Sequence, residues 1–402
     1  GARQTLRMLR EICPAMTLHN VPSGTAAFDW IVPDEWNVRA AYIIGPNGQR
    51  LCDFAENNLH LLGYSIAVDE EMDLETLQKH LYSLPDQPDA IPYVTSYYAK
   101  RWGFCLTQRA RDALKPGTYR VVVDSTLAPG ALTYGEIILP GRSDQEVLMS
   151  TYVCHPSMAN NELSGPCVAI HLAQWLADAP RRYTYRFVFG AETIGSLTYL
   201  SRNLDHLKRH VIAGFNLSCM GDERAYSYLP SRAENTLADK AALHVLGHIA
   251  PDFVRYQWAD RGSDERQYCA PGIDLPVASI MRTKYGAYPE YHTSLDDLEL
   301  VTAAGLEGGF TALKRAIETI EADCRPRMKM LGEPQLGKRG LYPTVSTKES
   351  GRAVRTMMNL ITYCDGTRTL LEIAEKIGAP VWVLRPILDQ LAAHHLVEVG
   401  ED

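Results

Sequence analysis

Histidine and carboxylate side chains gather at the ends of apolar runs in this chain. The run EVLMSTYV leads into His155, and Asn160, Asn161 and Glu162 lie just beyond it in CHPSMANNELSG. Glu192 directly follows RFVFGA, and Ser218, Cys219 and Asp222 follow VIAGFNL. A fourth region holds SDERQY, with Ser263, Asp264 and Glu265, and then YPEYHTSLDDL, with Tyr291 and His292. Two imidazoles and a carboxylate from distant segments suit a borderline metal such as zinc. A ligand histidine needs a partner on its other ring nitrogen, and Asp296 or Asp297 could supply one to His292. A single histidine at a strand end is more often a hydrogen-bonded structural residue, so the argument rests on the combination. His206/His210 and His244/His248 each have the i,i+4 spacing of one helix face. Neither pair sits in a His-Glu-x-x-His arrangement, and both read as surface or packing residues.

These residues need a scaffold that brings strand ends together. From about residue 145 the pattern alternates strand and helix: EVLMSTYV, SGPCVAIHLAQWLADA, YTYRFVFG, TIGSLTYLSRNLDHLKRH, VIAGFNLS, TLADKAALHVLGHIA, LPVASIM and VTAAGLEGGFTALKRAIETIEA. Continuous apolar strands between amphipathic helices predict an α/β domain with a mostly parallel central sheet and helices on both faces. Sites in such sheets form at the carboxyl ends of the strands, where His155, Glu192 and His292 are expected to converge. Residues 36–135 read differently, with short β-like runs (AAYIIG, YRVVVD, GEIILP) and turn signals, and predict an inserted β-rich subdomain. The α/β domain is then 1–35 with 136–325. Residues 325–350 read as a linker, and 338–402 as a winged helix of three helices and a final strand.

Composition narrows the classes further. The chain has 402 residues, 46% of them hydrophobic, enough for two or three domains. No apolar run reaches the ~18 residues of a membrane-spanning helix. The first residues, GARQTLRMLREIC, read as an amphipathic helix rather than a signal segment. Nine scattered cysteines without a Cys-x-x-Cys pair predict reduced thiols and a cytoplasmic protein. The net charge of −8 disfavours a polyanion partner. Residues 338–402 hold eight Lys/Arg and eight Asp/Glu, so the winged helix reads as a packing or protein-contact module rather than a DNA reader.

The order His155, ANNELSG, ETIGS, FNLSCMG, YHTSLDD resembles the co-catalytic zinc aminopeptidases of the leucyl aminopeptidase and glutamate carboxypeptidase type. More closely, VPSGTAAFDWIVPDEW, IPYVTSYYAKRWGFC, CHPSMANNELSG and PEYHTSLDDLE resemble a bacterial aminopeptidase-like group. That group has an inserted β-rich domain and a C-terminal winged helix, and is often found near polysaccharide or natural-product biosynthesis genes. The resemblance spans nearly the whole chain. It implies that His155 falls on a ligand of one zinc and His292 on a ligand of the other. Glu192 matches either the second-zinc ligand or the general base, with Ala191 where the other glutamate belongs. Ser218 stands where the family has a ligand aspartate, and Asn161 where it has the bridging aspartate.

A neutral amide cannot offset the repulsion of two dications, so a two-metal site is not expected. His155, Asn161, Glu192 and His292 would hold one zinc or none. The resemblance places SDERQY near the substrate. Asp264 and Glu265 could meet a free α-amine there, and Arg282 a carboxylate, with Asp222 and Tyr291 as further contacts. A loop salt bridge explains the same residues equally well. Three functions remain: a metal-dependent hydrolase acting at an amide next to a free amine, a metal-free protein that binds a peptide or amino-acyl ligand, and a DNA-binding regulator. The expected partner is a small peptide or amino-acyl substrate, without nucleic acid or membrane. A homo-oligomer is compatible with the sequence.

Overall fold

The computed structural model describes residues 1–341 and 348–400, with side chains for all of these except 348–350. The first strands are β1 (Thr17–Pro22), β2 (Glu35–Ile44), β3 (Arg50–Leu51), β4 (Val68–Asp73) and β5 (Thr118–Ala128). They are followed by β6 (Ala131–Leu139), β7 (Glu146–Tyr152), β8 (Thr184–Gly190), β9 (Val211–Leu217), β10 (Ser227–Leu229), β11 (Val254–Arg255) and β12 (Val277–Met281). One eight-stranded sheet has the order β1-β6-β8-β7-β9-β12-β10-β11. Its centre, β8-β7-β9-β12, is parallel. Antiparallel pairings add β6 and β1 on one side and β10 on the other.

The central strands are covered on both faces, and the charged residues they bury are paired, as Arg186 of β8 is with Glu146 of β7 at 2.6 Å. All seven residues of β7 are buried. Val147 and Met149 pack on one face with α1 (Ala2–Ile12), α2 (Ser164–Ala177), α4 (Leu237–Ile249) and α5 (Ala303–Ala322). Leu148 faces the other way and meets Leu200 and Leu207 of α3 (Ile194–His210). Burying such a side chain contributes ~1.5–3 kcal/mol.

The insert is a separate antiparallel sheet, β3-β2-β5-β4, with its own core around Ile43, Phe104, Tyr119 and Val121. Its expected end at residue 135 falls inside β6, which pairs with β1 from Ala131 onward. The run GEIILP, expected in the insert, therefore belongs to the large sheet. Its alternation suits an edge strand of either sheet, and only the partner strand decides between them.

The last unit comprises α6 (Lys348–Tyr363), α7 (Leu370–Ile377), α8 (Val381–Ala393) and β14 (Val397–Gly400). The expected linker is in part a strand: β13 (Arg325–Met328) pairs antiparallel with β14. This unit docks on the α/β domain. The Val381 N–H, at the start of α8, donates to His244 Nε2 of α4 at 3.0 Å. The other nitrogen of His244, Nδ1, lies 2.5 Å from Glu375 Oε1 of α7. Trp382 lies under the Arg315 guanidinium of α5 at 5.1 Å, and Arg385 donates to the Ala322 carbonyl at 3.1 Å. One face of α8 is thus turned onto α4 and α5.

Burial holds the pKa of His244 below its ordinary value, against the pull of Glu375. Below about pH 6.5 the unfolded chain takes a proton here that the folded chain refuses, so stability falls as the pH drops. The urea midpoint is expected to decline from about pH 7.5 to about pH 5.5 more steeply in the unchanged protein than in His244→Gln. Equal slopes would show that His244 is not the titrating plug of this interface.

Candidate active site

Strand β7 ends at Tyr152, and Cys154, His155 and Pro156 follow. Proline biases the residue before it towards extended backbone, which carries His155 out of the sheet. The chain then makes a wide π-type turn over Ala159–Leu163 and enters α2. Such turns are concentrated at functional sites. Gly165 lets the helix approach the sheet, because a Cβ there would lie 2.5 Å from the Leu217 carbonyl oxygen and 2.6 Å from Thr151 Oγ1.

One carboxylate fixes this loop. Asp296 is fully buried and accepts the backbone N–H of Ala159 at 3.2 Å, Asn160 at 2.5 Å and Asn161 at 2.9 Å, plus the Tyr288 hydroxyl at 3.1 Å. Asp296 therefore orders the turn that carries Asn161 and is not the expected partner of a His292 ring nitrogen. Asp297 is exposed and accepts the N–H of Glu299.

His155 and His292 meet in a cleft, with ring centroids 5.2 Å apart. Glu192 Oε2 lies 3.8 Å from His155 Nε2, and its Oε1 accepts the Ser263 hydroxyl at 2.8 Å. On the other side of His155, Nδ1 lies 3.3 Å from Cys154 Sγ and 3.5 Å from Glu162 Oε2. Glu162 also accepts the His155 backbone N–H at 2.7 Å. Two backbone outliers stand at this cleft: Thr193 has φ 63° and His292 has φ 57°. Left-handed backbone at a non-glycine residue costs ~1–3 kcal/mol and persists only where the surroundings impose it. Here the Thr193 N–H donates to Asp264 at 2.7 Å, and the His292 carbonyl accepts the Tyr93 N–H at 2.8 Å.

Tyr93 comes from the insert and was not singled out in the sequence. Its ring lies 5.2 Å from that of His155 and 5.1 Å from that of His292. Paired backbone places it there, because Pro92 bridges to Thr293 and the Ser294 N–H donates to the Ile91 carbonyl at 2.8 Å. No local motif marks such a residue; only long-range pairing reveals it. Tyr291 stacks on His292 at 3.8 Å.

Of the other expected substrate contacts, Glu265 and Asp222 are held in structural bonds, and Arg282 rests on a ring with its Nε buried without a hydrogen-bond partner. Glu265 is buried and accepts from the N–H of Gly262 and of Ser263, the Tyr285 hydroxyl and the Asn216 amide. Asp222 accepts from Thr283 twice, from the Arg224 N–H and from the Asn160 amide. Arg282 lies over the Tyr226 ring at 3.9 Å, and a Cβ on Gly308 of α5 would collide with it. None of these three presents a free charged group to the His155–His292 cleft. Asp264 is buried against Thr193 and Ser196, and burial, with the Glu192 charge next, pushes its carboxyl up to about 7.

The charges in the cleft follow from burial and neighbours. Burial works against a charged His155, but Cys154, Glu162 and Glu192 overcome it and hold its proton. His292 is pushed down to about 3, by burial first and the His155 charge second. Burial pushes the Cys154 thiol up to about 11.

Asn161 and Ser218, two of the residues expected at metal positions, are neutral and share one hydrogen-bonding partner. The Asn161 Nδ2 donates to the Tyr152 hydroxyl at 2.9 Å, and the same hydroxyl bonds Ser218 Oγ at 2.7 Å. Asn161 Oδ1 and His292 Nε2 are buried without a hydrogen-bond partner. These two atoms, His155 and Glu192 offer donors for one ion, but the trio of His155, Glu192 and His292 does not draw to within 4.8 Å in all its donor atoms. The residues do not fit a zinc pair.

A parallel-centred sheet with histidines and a glutamate at its strand ends defines an aminopeptidase-like α/β protein carrying a winged helix. Residues 1–323 match the profile of a domain of unknown function, DUF4910, and the chain belongs to that family. Residues 324–399 match a winged helix-turn-helix profile, which begins where β13 does. A Clostridium acetobutylicum protein, described as a candidate polysaccharide biosynthesis protein with an aminopeptidase-like domain, is 41% identical over 94% of this chain and 87% of its own length. The crystal structure of a candidate peptidase from Clostridium acetobutylicum superposes with a TM-score of 0.93 at 39% identity, over 99% of this chain and 91% of that one. A zinc aminopeptidase from Bacillus subtilis shares the fold at 13% identity, with a TM-score of 0.57 over 79% of this chain and 88% of that one. Winged helices serve DNA binding in many proteins, so this unit does not support the expected exclusion of nucleic acid. No helix among the described residues is long and apolar enough to cross a membrane.

Asp296→Asn places an amide group against backbone N–H donors in a buried loop. A loss of about 3 kcal/mol of stability is expected in urea unfolding, the cost of a charged acceptor removed from buried donors. A loss under ~1 kcal/mol would mean that the turn holds its shape without the carboxylate.

Proposed function

We propose that this chain is a repurposed aminopeptidase-like protein that binds a peptide or amino-acyl ligand by its free amine, without the zinc pair of the aminopeptidases. The observation that supports this most directly is the neutral chain Asn161–Tyr152–Ser218 at the places where two charged ligands would be needed. A bridging carboxylate shares its charge between two dications, and an amide with one carbonyl oxygen does not.

The ligand-binding groups are Glu192, Tyr93 and Tyr291. Glu192 is half-buried, bonded through Oε1 to Ser263, and close to His155 through Oε2. An α-ammonium group in the cleft would meet this carboxylate and the faces of Tyr93 and Tyr291, an arrangement that favours cations. Asp264 beside it stays partly protonated near neutrality, which keeps two like charges from opposing each other. The biosynthetic setting named for the Clostridium acetobutylicum relative fits a ligand from a cytoplasmic assembly pathway.

The unpartnered atoms Asn161 Oδ1 and His292 Nε2 favour a second reading, a hydrolase with one zinc held by His155, Asn161, Glu192 and His292. A single zinc would polarise the scissile carbonyl and activate a water. In that case Glu192 serves as ligand or as base.

Calorimetry with free-amine dipeptides and their N-acetylated counterparts tests the first reading. Free-amine peptides are expected to bind, acetylated ones not, and Glu192→Gln to weaken binding by about tenfold, or ~1.4 kcal/mol. Equal binding of both peptide forms would overturn it. Zinc-dependent hydrolysis of the free-amine peptides, lost in His292→Ala and enhanced in Asn161→Asp, would establish the second reading instead.

A further inference from the structure

The cleft accounts for one side of His155, the side of Nε2. Its other nitrogen faces a different set of donors. Among the described residues, one group of three has all its ligand atoms within 4.8 Å of one another: Cys154, His155 and Glu162. We propose that these three residues form a sulfur-containing seat for one thiophilic divalent cation such as zinc or cobalt, separate from the ligand positions of the aminopeptidases. The proposal goes beyond the peptide-binding reading and does not depend on it.

Geometry is the first argument. Tetrahedral zinc with bonds of ~2.3 Å to sulfur and ~2.0–2.2 Å to nitrogen and oxygen sets donor–donor edges of about 3.4–3.6 Å. The Cys154 Sγ to His155 Nδ1 distance is 3.3 Å, and the Glu162 Oε2 to His155 Nδ1 distance is 3.5 Å. Both distances from Nδ1 match ligand spacing, and the third, from Cys154 Sγ to the Glu162 carboxylate, is within 4.8 Å.

Charge is the second argument. A thiolate and a carboxylate together neutralise a dication. The aminopeptidase positions here retain a single carboxylate, Glu192, beside the neutral Asn161 and Ser218. An ion at Nδ1 therefore finds more compensating charge than one at Nε2. Glu162 is buried, and among the described residues the charged group within ion-pair distance of it is His155. A dication bound at Nδ1 would displace the imidazole proton and take over its compensation of this carboxylate.

The surroundings are those of an ordered metal site. The Glu192 N–H donates to Cys154 Sγ at 3.2 Å, and the His155 N–H donates to Glu162, so outer hydrogen bonds already orient two of the three donors. Three protein donors leave a fourth position, as in catalytic rather than structural zinc sites. On binding, the Cys154 thiol and the His155 Nδ1–H each give up a proton to solvent, and Nδ1 becomes a ligand while the remaining imidazole proton stays on Nε2, facing Glu192. The ion would thus set the tautomer of the histidine in the cleft.

Cobalt titration of the metal-stripped full-length protein tests this, with absorption spectra read at each addition. The expected result is one cobalt per chain with a near-ultraviolet sulfur-to-cobalt charge-transfer band. Cys154→Ser should abolish the band, and Glu162→Gln should weaken binding by at least the ~10–100-fold typical of outer-shell changes while keeping it. His292→Ala should leave both band and affinity in place. Circular dichroism of each variant separates loss of ligand from loss of fold. Cobalt bound without the sulfur band, and lost in His292→Ala, would place the ion in the aminopeptidase positions and overturn the proposal. So would a band that survives in Cys154→Ser, which would assign it to another thiol such as the exposed Cys167. No cobalt uptake at all would also overturn it, and would leave the metal-free reading of the cleft standing.

Discussion

The buried carboxylate of Asp296 is the constraint on which the cleft depends. Three successive backbone N–H groups, from Ala159 to Asn161, converge on it, and the Asp296 backbone carbonyl also accepts the Ala159 N–H at 2.9 Å. Unpaired N–H groups in so buried a turn would each cost ~1–3 kcal/mol. The turn can therefore hold its shape only while the segment carrying Asp296 is docked. That segment also carries His292, so a single contact fixes both the loop after β7 and the histidine opposite it.

The same loop shows how the charge of a site can differ without a difference of fold. The backbone bonds to Asp296 do not depend on the side chain at 161. An aspartate there would face the metal positions; the asparagine turns its amide to Tyr152 and joins Ser218 in a neutral network. No side-chain charge stands at Asn161 or Ser218. On the opposite edge of His155, charge remains at Glu162, next to a thiol. The difference between the two sides of one imidazole is a matter of which donors carry charge, and it is invisible at the level of fold.

The two appended units bear on the site differently. The insert reaches the cleft directly, since the backbone pairing around Pro92 and Ser294 seats Tyr93 between the two histidines. The winged helix acts at a distance. Its third helix is turned onto α4 and α5, with Trp382 and Arg385 in contact there and His244 bonded to its first turn. In this arrangement the side of the third helix that carries Trp382 and Arg385 is covered by the protein itself.

Much of this architecture is written in local pattern. The alternation of apolar strands and amphipathic helices from residue 145 specifies the α/β domain, because strands buried on both faces are mainly apolar. Polar residues just beyond those strands mark His155 and Glu192, and His292 lies in a longer loop after the last of them. Local pattern does not specify partners. The run GEIILP suits an edge strand of either sheet, and the segment 325–328, with two arginines and a proline, becomes a strand only because β14 lies beside it. Glu265 and Asp222 look like free acids in the sequence, yet buried N–H and hydroxyl donors from distant segments consume their oxygens. Tyr93 and Cys154 lie within stretches that mark the family, but neither stretch tells what their side chains face. Residue type and spacing decide which side chains can do chemistry; which donors each one faces is set by contacts between residues far apart in the chain, and only the folded structure contains those.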